Sequence, residues 1–276
     1  MANLCIALGI LPDMPKAILI LLLLANTPSR TTVINLGNTV ASRFKAPSGY
    51  SQLPVPKNSF GEWLLRQHLK PLGTPTLTYL GNVARTNRYT AAVLNTSVGK
   101  NGLQQCADAA IRLIAEYLYS KKDYQSLHFN FTSSFNCDFI HFAEGYRYQQ
   151  NGTWEKPAPK SYSRDTFLKY LDLVFSYAGT LSLEKELKPV ANATDIQVGD
   201  LFIKGGSPGH CFIVMNVVEN KATRQKKFLL AQSFIPAQNI QIVKSDSPWF
   251  SLDDYALIPY GLLINKAYLK RFSFVN

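Results

Sequence analysis

The chain has 276 residues, of which 46% are hydrophobic and only 17% are charged, a composition that excludes an intrinsically disordered protein. Its formal net charge of +11 is scattered along the chain, with the tightest clusters at Lys121-Lys122 and from Arg224 to Lys227. No nucleic-acid-binding motif accompanies this charge, so we expect no nucleic-acid partner. An anionic membrane surface or an anionic cell-wall polymer also suits a basic protein, and scattered charge alone serves solubility.

The N-terminal part of the chain has the features of an export signal. Lys16 precedes an apolar run from Ala17 to Ala25, and polar, turn-forming residues 26–29 follow it. These features predict a signal peptide over residues 1–26, and we expect translation to start at Met14. The apolar run is too short to cross a bilayer comfortably, so no stable transmembrane span is expected after the leader is cleaved. An uncleaved membrane anchor is the competing interpretation.

One domain is predicted to follow, over residues 59–276. Residues 27–58 are rich in Ser, Thr, Pro and Asn and are interpreted as an extended segment that leads into it. The clearest helix runs from Leu103 to Ser120, where apolar residues fall at helical spacing, and Cys106 lies in its first turn. The run from Leu127 to Ser133 alternates between apolar and polar side chains, which is typical of a half-buried strand.

The second half of the chain completes the predicted fold. A second helix is expected from Asp165 to Ala178, and a short third helix, capped by Ser182, ends at Leu187. Helices followed by consecutive strands predict an α+β fold, with helices packed on an antiparallel sheet. The strands predicted for this sheet are Asp200 to Ile203, His210 to Val218, Phe228 to Phe234 and Ile240 to Val243.

The pair Cys106 and His210 is the best candidate for catalytic chemistry. The free N–H groups and the dipole at a helix N-terminus favour a thiolate at Cys106. His210 begins a predicted strand directly after the glycine-rich stretch from Gly205 to Gly209, which leaves room for a substrate backbone. Gln232 stands among apolar residues of the next strand and would orient the imidazole, with Ser233 as the second choice. A small buried cysteine and a capped surface histidine are the alternatives.

The cysteine count leaves one structural alternative open. Cys5 lies in the leader, so Cys106, Cys137 and Cys211 remain in a mature chain and at least one thiol is free. A disulfide between Cys106 and Cys137 is the competing explanation for Cys106. The histidines show no metal-ligand spacing, and no phosphate-binding glycine loop precedes a helix, so we expect no metal and no cofactor.

A family resemblance extends from about Phe60 to Phe272. The segments that carry it are residues 103–109, 128–132, 177–187, 205–210, 229–233 and 236–238. They resemble an uncharacterised bacterial family, known as domain of unknown function 4846, whose members are typically exported or lipid-anchored. The resemblance implies a bacterial protein of the periplasm or cell envelope, and it brings no established activity.

A looser resemblance concerns architecture. A cysteine that opens a helix, the run from Val198 to Ile203 and the run from Gly209 to Val214 look like the papain-like amidases and peptidases, which include the CHAP cell-wall hydrolases. In that group a helix-start cysteine, a histidine at the start of a strand and a polar residue on the next strand form the site. The resemblance assigns these roles to Cys106, His210 and Gln232, in a papain-like or CHAP-like core with an inserted helical segment.

The second resemblance implies a cysteine amidase or peptidase that cleaves amide bonds in cell-wall peptides. The partner is then a cell-envelope polymer or peptide. The alternative is a non-catalytic envelope protein that binds a glycan or a peptide in the same cleft. The polar face of the alternating strand either lines this cleft or is solvated. The residues expected to hold the oxyanion or the substrate are Gln104, Gln105, His128, Asn130, Gly206, Ser207 and Gly209.

Overall fold

The computed structural model of the protein describes residues 37–252 and 256–273. All of these residues belong to one unit, Val33–Asn276. The predicted signal peptide over residues 1–26, including Cys5, lies outside the described residues. Within the described residues, every helix is too short or too polar to cross a bilayer.

The predicted helices are present, with shifted ends. The longest begins at Cys106, three residues after the predicted start at Leu103, because the carboxylate of Asp108 accepts the backbone N–H of Gln105 at 2.8 Å and caps the helix there. The short third helix starts before Ser182, because the Ser182 hydroxyl accepts the backbone N–H of Gly179 at 3.0 Å. The α-helices are α1 Val40–Arg43, α2 Phe60–Leu65, α3 Cys106–Lys121, α4 Phe139–Ala143, α5 Arg164–Tyr177 and α6 Thr180–Glu186.

An antiparallel sheet forms most of the second half of the chain, which confirms the α+β prediction. Its path runs β2-β11-β10-β9-β8-β13-β7, while β1 pairs with β9 and β12 with β10. Two separate hairpins, β3–β4 and β5–β6, lie in the segment between α3 and α5. The strands are β1 Tyr50–Gln52, β2 Thr90–Val93, β3 His128–Asn130, β4 Asn136–Asp138, β5 Arg147–Gln149, β6 Thr153–Glu155, β7 Leu187–Pro189, β8 Leu201–Lys204, β9 His210–Asn220, β10 Lys226–Gln232, β11 Gln241–Val243, β12 Trp249–Phe250 and β13 Leu269–Phe272.

Strand β9 is the centre of the core. Its residues are buried on both faces as far as Glu219, because α2 and α3 pack against it and β8 and β10 flank it. Each large apolar side chain buried here contributes roughly 1.5–3 kcal/mol to stability. The predicted alternation of β3 also holds, since Phe129 and Phe131 are fully buried. The start of β9, where His210 lies, is therefore a rigid position.

Part of the segment interpreted as extended, residues 27–58, is built into the fold. Val40 of α1 is fully buried, and Arg43 donates hydrogen bonds to the carbonyls of Gly37 and Lys70. Strand β1 pairs with the far end of β9. Elements of three or four residues contain little more than one hydrophobic period, which is too short for the sequence pattern to reveal them.

Candidate active site

A cavity of about 340 Å³ lies beside the N-terminus of α3. Five of the predicted site residues line it: Gln105, Cys106, Gly206, Ser207 and Gly209. The remaining walls come from the first turn of α3, the loop before β9, the end of α5, the start of α6 and two loops after β10. These lining residues are Ala107, Asp108, Phe175, Ala178, Gly179, Thr180, Pro208, Phe234, Ile235 and Tyr260.

His210 and Gln232 are fully buried just behind this cavity, on neighbouring strands. Ala231 pairs with Ile213, which brings Gln232 opposite the start of β9. The Nε2 of His210 lies 2.7 Å from the Oε1 of Gln232, so the predicted contact between them is present. Because Oε1 only accepts, this contact requires the tautomer with the proton on Nε2.

The other ring nitrogen of His210 is free to act as a base. Nδ1 is buried and has no hydrogen-bond partner among the described residues. Burial lowers the pKa of His210 to about 4, and the hydrogen bond to Gln232 opposes that shift only in part. The imidazole is therefore neutral at physiological pH, with an unprotonated nitrogen in a dry environment.

Three aromatic rings enclose His210. Tyr260 stacks on the imidazole, with ring centroids 4.5 Å apart and planes inclined by 15°. The ring centroids of Phe212 and Phe234 lie 4.7 Å and 5.3 Å from that of the imidazole. Tyr260 also lines the cavity and is held in a left-handed turn with φ 60°. The sequence did not indicate Tyr260, because it lies in an irregular segment with no hydrophobic period.

The start of α3 lies close to the start of β9. Burial raises the pKa of the Cys211 thiol well above its ordinary value, and the charges of Cys106 and Asp108 add to that effect. Cys106 and Gly209 line the same cavity, and His210 directly follows Gly209, while no hydrogen bond joins the Cys106 thiol to Nδ1 of His210. Cys211 itself is buried in the core. The fold therefore brings the helix-start cysteine and the strand-start histidine to the same end of the sheet.

The expectation of a thiolate at Cys106 is wrong for the resting protein. Burial raises the pKa of the Cys106 thiol to about 11, and the charge of Asp108 raises it further than the backbone hydrogen bond lowers it. The helix N-terminus therefore does not stabilise the anion enough, because desolvation is the larger effect and a carboxylate competes for the same donors.

Asp108 is a functional candidate that the sequence reasoning missed. Asp108 has no ion pair with Arg112, four residues along α3, because Arg112 pairs with Glu116 at 2.7 Å. One carboxylate oxygen of Asp108 caps the N–H of Gln105, while Oδ1 is buried without a partner among the described residues. Burial raises the pKa of Asp108 to about 7. An acidic residue three positions after the N-cap residue, here Gln105, is the signal that identifies such a cap.

The disulfide alternative for Cys106 is also wrong. Cys106, Cys137 and Cys211 are all free thiols. Cys137 is fully buried in β4, where its backbone carbonyl accepts the hydroxyl of Tyr170 at 2.9 Å. Cys106 alone among these three lines the cavity.

The glycines of the loop before His210 permit close packing. A Cβ on Gly209 would approach the Thr180 hydroxyl to 2.3 Å and the carbonyl of Gly206 to 2.5 Å. Gly206 has a φ of 108°, which side-chain-bearing residues rarely adopt. The loop can therefore hold His210 against the cavity only with glycine at these positions.

Gln104 and Gln105 differ in their position relative to the cavity and in their hydrogen-bond partners. Gln105 lines the cavity, and its side-chain amide approaches the carbonyl of Gly102 at 3.5 Å. Gln104 is buried outside the cavity lining, where its Oε1 accepts a hydrogen bond from Arg112 at 3.3 Å. The hydroxyl of Ser233 lies within hydrogen-bond distance of the backbone carbonyls of Gln104 and Gln238, and the ring N–H of His210 bonds Gln232 instead of Ser233. Either oxyanion role stays a prediction.

His128 and Asn130 lie on the separate β3–β4 hairpin. Asn136, on the opposite strand, contacts Nδ1 of His128 at 3.2 Å and Oδ1 of Asn130 at 3.1 Å. The backbone N–H of Asn130 is bonded by Glu186 at 2.9 Å. Neither residue is among those that line the Cys106 cavity. Their role as a substrate wall stays a prediction.

Comparison with known proteins gives one match. A family model described as "Domain of unknown function (4846)" matches residues 40–261. This range includes Cys106, His210, Gln232 and Tyr260, so every residue of the site falls within the family's domain. No curated protein and no solved structure matches the chain.

Proposed function

We propose that this chain, which belongs to the family described as domain of unknown function (4846), is an exported cysteine amidase or peptidase acting on cell-wall peptides. One observation carries the proposal. Gln232 holds the Nε2 proton of His210, and the unprotonated Nδ1 is left without a partner at the end of the sheet that meets Cys106. A general base for a thiol needs a bare nitrogen of this kind within reach of the sulfur; the resting protein supplies the nitrogen, and the approach of the Cys106 thiol to it belongs to the proposal.

The proposed reaction uses the neutral pair. The Cys106 sulfur attacks the carbonyl carbon of an amide while its proton passes to Nδ1 of His210, and the charge develops on the carbonyl oxygen. The C–N bond then breaks, and the amine leaves with that proton. Water, activated by the same nitrogen, hydrolyses the thioester, which releases the carboxylic acid and restores the thiol. Gln232 positions the ring, and the Cys106 N–H holds the oxyanion.

The resting pKa values set the order of these events. The thiol, with a pKa of about 11, does not transfer its proton in advance to an imidazole with a pKa of about 4. Proton transfer therefore accompanies the attack on the substrate carbonyl. A bound substrate also displaces water and supplies the electrophile that this transfer needs.

The topology supports a papain-like core with an inserted helical segment. The order is a helix-start cysteine in α3, a histidine that opens β9 and a polar residue at the end of the neighbouring β10. The segment between α3 and β8 holds α4, α5, α6 and the two hairpins. The insertion places the end of α5 in the cavity wall through Phe175 and Ala178.

The raised pKa of Cys106 favours a second candidate, a non-catalytic envelope protein that binds a glycan or a peptide in this cavity. A buried neutral thiol is also what a ligand-binding wall contains. The two candidates share the export signal and the cell-envelope partner, and they differ in whether a bond is cleaved.

Hydrolysis of defined cell-wall peptides separates the two candidates. The purified protein should release new amines, and Cys106→Ala and His210→Ala should each lower the rate by at least about 100-fold. Cys137→Ala, which removes a thiol outside the cavity, is the matched control and should retain activity. Peptide binding that survives Cys106→Ala, with no amine released by the wild type, would establish the binding protein instead.

A peptide aldehyde tests the geometry directly. It should form a covalent adduct with the Cys106 sulfur, detectable by intact mass, and a crystal structure of the adduct should place Nδ1 of His210 within about 4 Å of that sulfur. A separation beyond about 8 Å would exclude His210 as the base.

A further inference from the structure

A second cleft, of about 680 Å³, shares no lining residue with the Cys106 cavity. It lies beside the turn between β9 and β10 and includes the basic cluster from Arg224 to Lys227 that the sequence singled out. Lys266, from the C-terminal segment, adds a further positive charge. Residues distant in the sequence therefore bring four cationic side chains into one concave surface.

The positive charge of this cleft is incompletely balanced. Among the described residues that line it, none is acidic. Arg224 pairs with Glu219 at 3.0 Å, and the Lys226 ammonium donates to the carbonyls of Thr194 and Ile196. Lys226 thus serves to hold the neighbouring loop, and Arg224 has its own counter-ion.

The remaining two lysines are available to a ligand. Among the described residues, the Lys227 ammonium contacts the face of the Tyr50 ring, at 5.5 Å from its centroid, and the Lys266 ammonium has no hydrogen bond or ion pair. Like charges gathered in a cleft raise the local potential and attract anions. The hydroxyls of Thr223 and Ser251 line the same cleft and add hydrogen-bond donors.

We propose that this cleft binds a ligand that carries several phosphate groups, held by Lys227 and Lys266 with Arg224 at its edge. Lysine recognises phosphate as a point charge, and a phosphate offers more acceptor oxygens than a carboxylate. Several groups suit this cleft because Lys227 and Lys266 come from separate segments of the chain and because its volume, about 680 Å³, is much larger than one phosphate. The site does not depend on the proposed hydrolase, since it is separate from Cys106.

Titration calorimetry of the full-length protein with inorganic tripolyphosphate tests the proposal. The wild type should bind it, and the affinity should fall as the salt concentration rises. The double variant Lys227→Gln/Lys266→Gln should bind about five- to thirtyfold more weakly, and each single variant should lie between. Circular dichroism should show both substitutions to be tolerated, since neither ammonium makes a hydrogen bond within the described fold.

A control variant removes the same amount of positive charge from a different surface of the protein. Lys121→Gln/Lys122→Gln removes two charges from the other basic cluster, which lies at the end of α3, and should leave the affinity unchanged. An equal loss of affinity in this control would show that net charge alone governs binding, and it would overturn the proposed site. Citrate that binds as tightly as tripolyphosphate would overturn the assignment to phosphate, and so would a wild type that binds neither.

Discussion

His210 donates its Nε2 proton to the Oε1 of Gln232 across 2.7 Å, and both side chains are fully buried. The contact fixes the tautomer of the imidazole, because the amide oxygen has no proton to give. It also holds the ring plane between Phe212 and Tyr260. A histidine with one nitrogen hydrogen-bonded and the other unpartnered suits proton transfer. A residue that served only core packing would normally have both buried nitrogens satisfied.

The first prediction concerns this tautomer. In the wild type, nitrogen NMR should show His210 protonated at Nε2 and bare at Nδ1, with a pKa of about 4. Gln232→Ala should lower that pKa, because the hydrogen bond from the ring to Gln232 favours the charged form. Gln232→Glu should raise it, since a carboxylate stabilises the imidazolium. A spectrum with the proton on Nδ1 would contradict the assignment of His210 as a base.

The second prediction concerns the charge beside Cys106. Asp108→Asn removes a carboxylate that raises the thiol pKa, so alkylation by iodoacetamide should accelerate and its pH profile should shift to lower pH. Peptide mass spectrometry separates Cys106 from the buried Cys137 and Cys211. Glu186→Gln is the matched control, because desolvation likewise raises the pKa of that half-buried carboxyl to about 7, but it does not act on Cys106. An unchanged profile in Asp108→Asn would show that burial alone governs the thiol.

The third prediction concerns stability. Asp108 ionises at its ordinary pKa of 3.8 in the unfolded chain and at about 7 in the fold, because burial disfavours its charge. Between these two values the folded state keeps a proton that the unfolded state has lost, so stability falls as pH rises through this window. Asp108→Asn should therefore gain stability relative to the wild type from about pH 4 to pH 7, on the order of 2–4 kcal/mol. Urea denaturation at several pH values measures the difference, and a constant difference would contradict it.

The fourth prediction concerns export. The apolar run from Ala17 to Ala25, with Lys16 before it, indicates a cleaved leader. N-terminal sequencing of protein from its native host should therefore begin between residues 26 and 32. An intact Met1 or Met14 on protein from the soluble cytoplasmic fraction would refute export, and with it the proposed cell-wall substrate.

The sequence located the parts of the site that depend on regular periods. Helix α3 is long enough to show several turns of apolar spacing, so Cys106 could be placed at its start. His210 and Gln232 could be paired because both lie on strongly apolar runs joined by a short polar turn, which is typical of neighbouring antiparallel strands.

The remaining features depend on tertiary structure. The pKa of Cys106 is set by burial and by Asp108, and neither burial depth nor the distance between charges is encoded in local spacing. Strand β13 inserts between β7 and β8 from the end of the chain, and no hydrophobic pattern specifies that order. Tyr260 reaches His210 from an irregular segment, where side-chain direction follows no period.

The fifth prediction concerns Tyr260, which covers the imidazole. Tyr260→Ala removes the stacked ring and admits water, so the pKa of His210 should rise from about 4 toward its ordinary value of 6.5. Tyr260→Phe keeps the ring and loses only the hydroxyl, so it should leave that pKa nearly unchanged. Proton NMR titration of His210 in the two variants measures both. Equal shifts in the two would assign the effect to the hydroxyl, and no shift in Tyr260→Ala would show that Phe212 and Phe234 suffice to exclude water from the base.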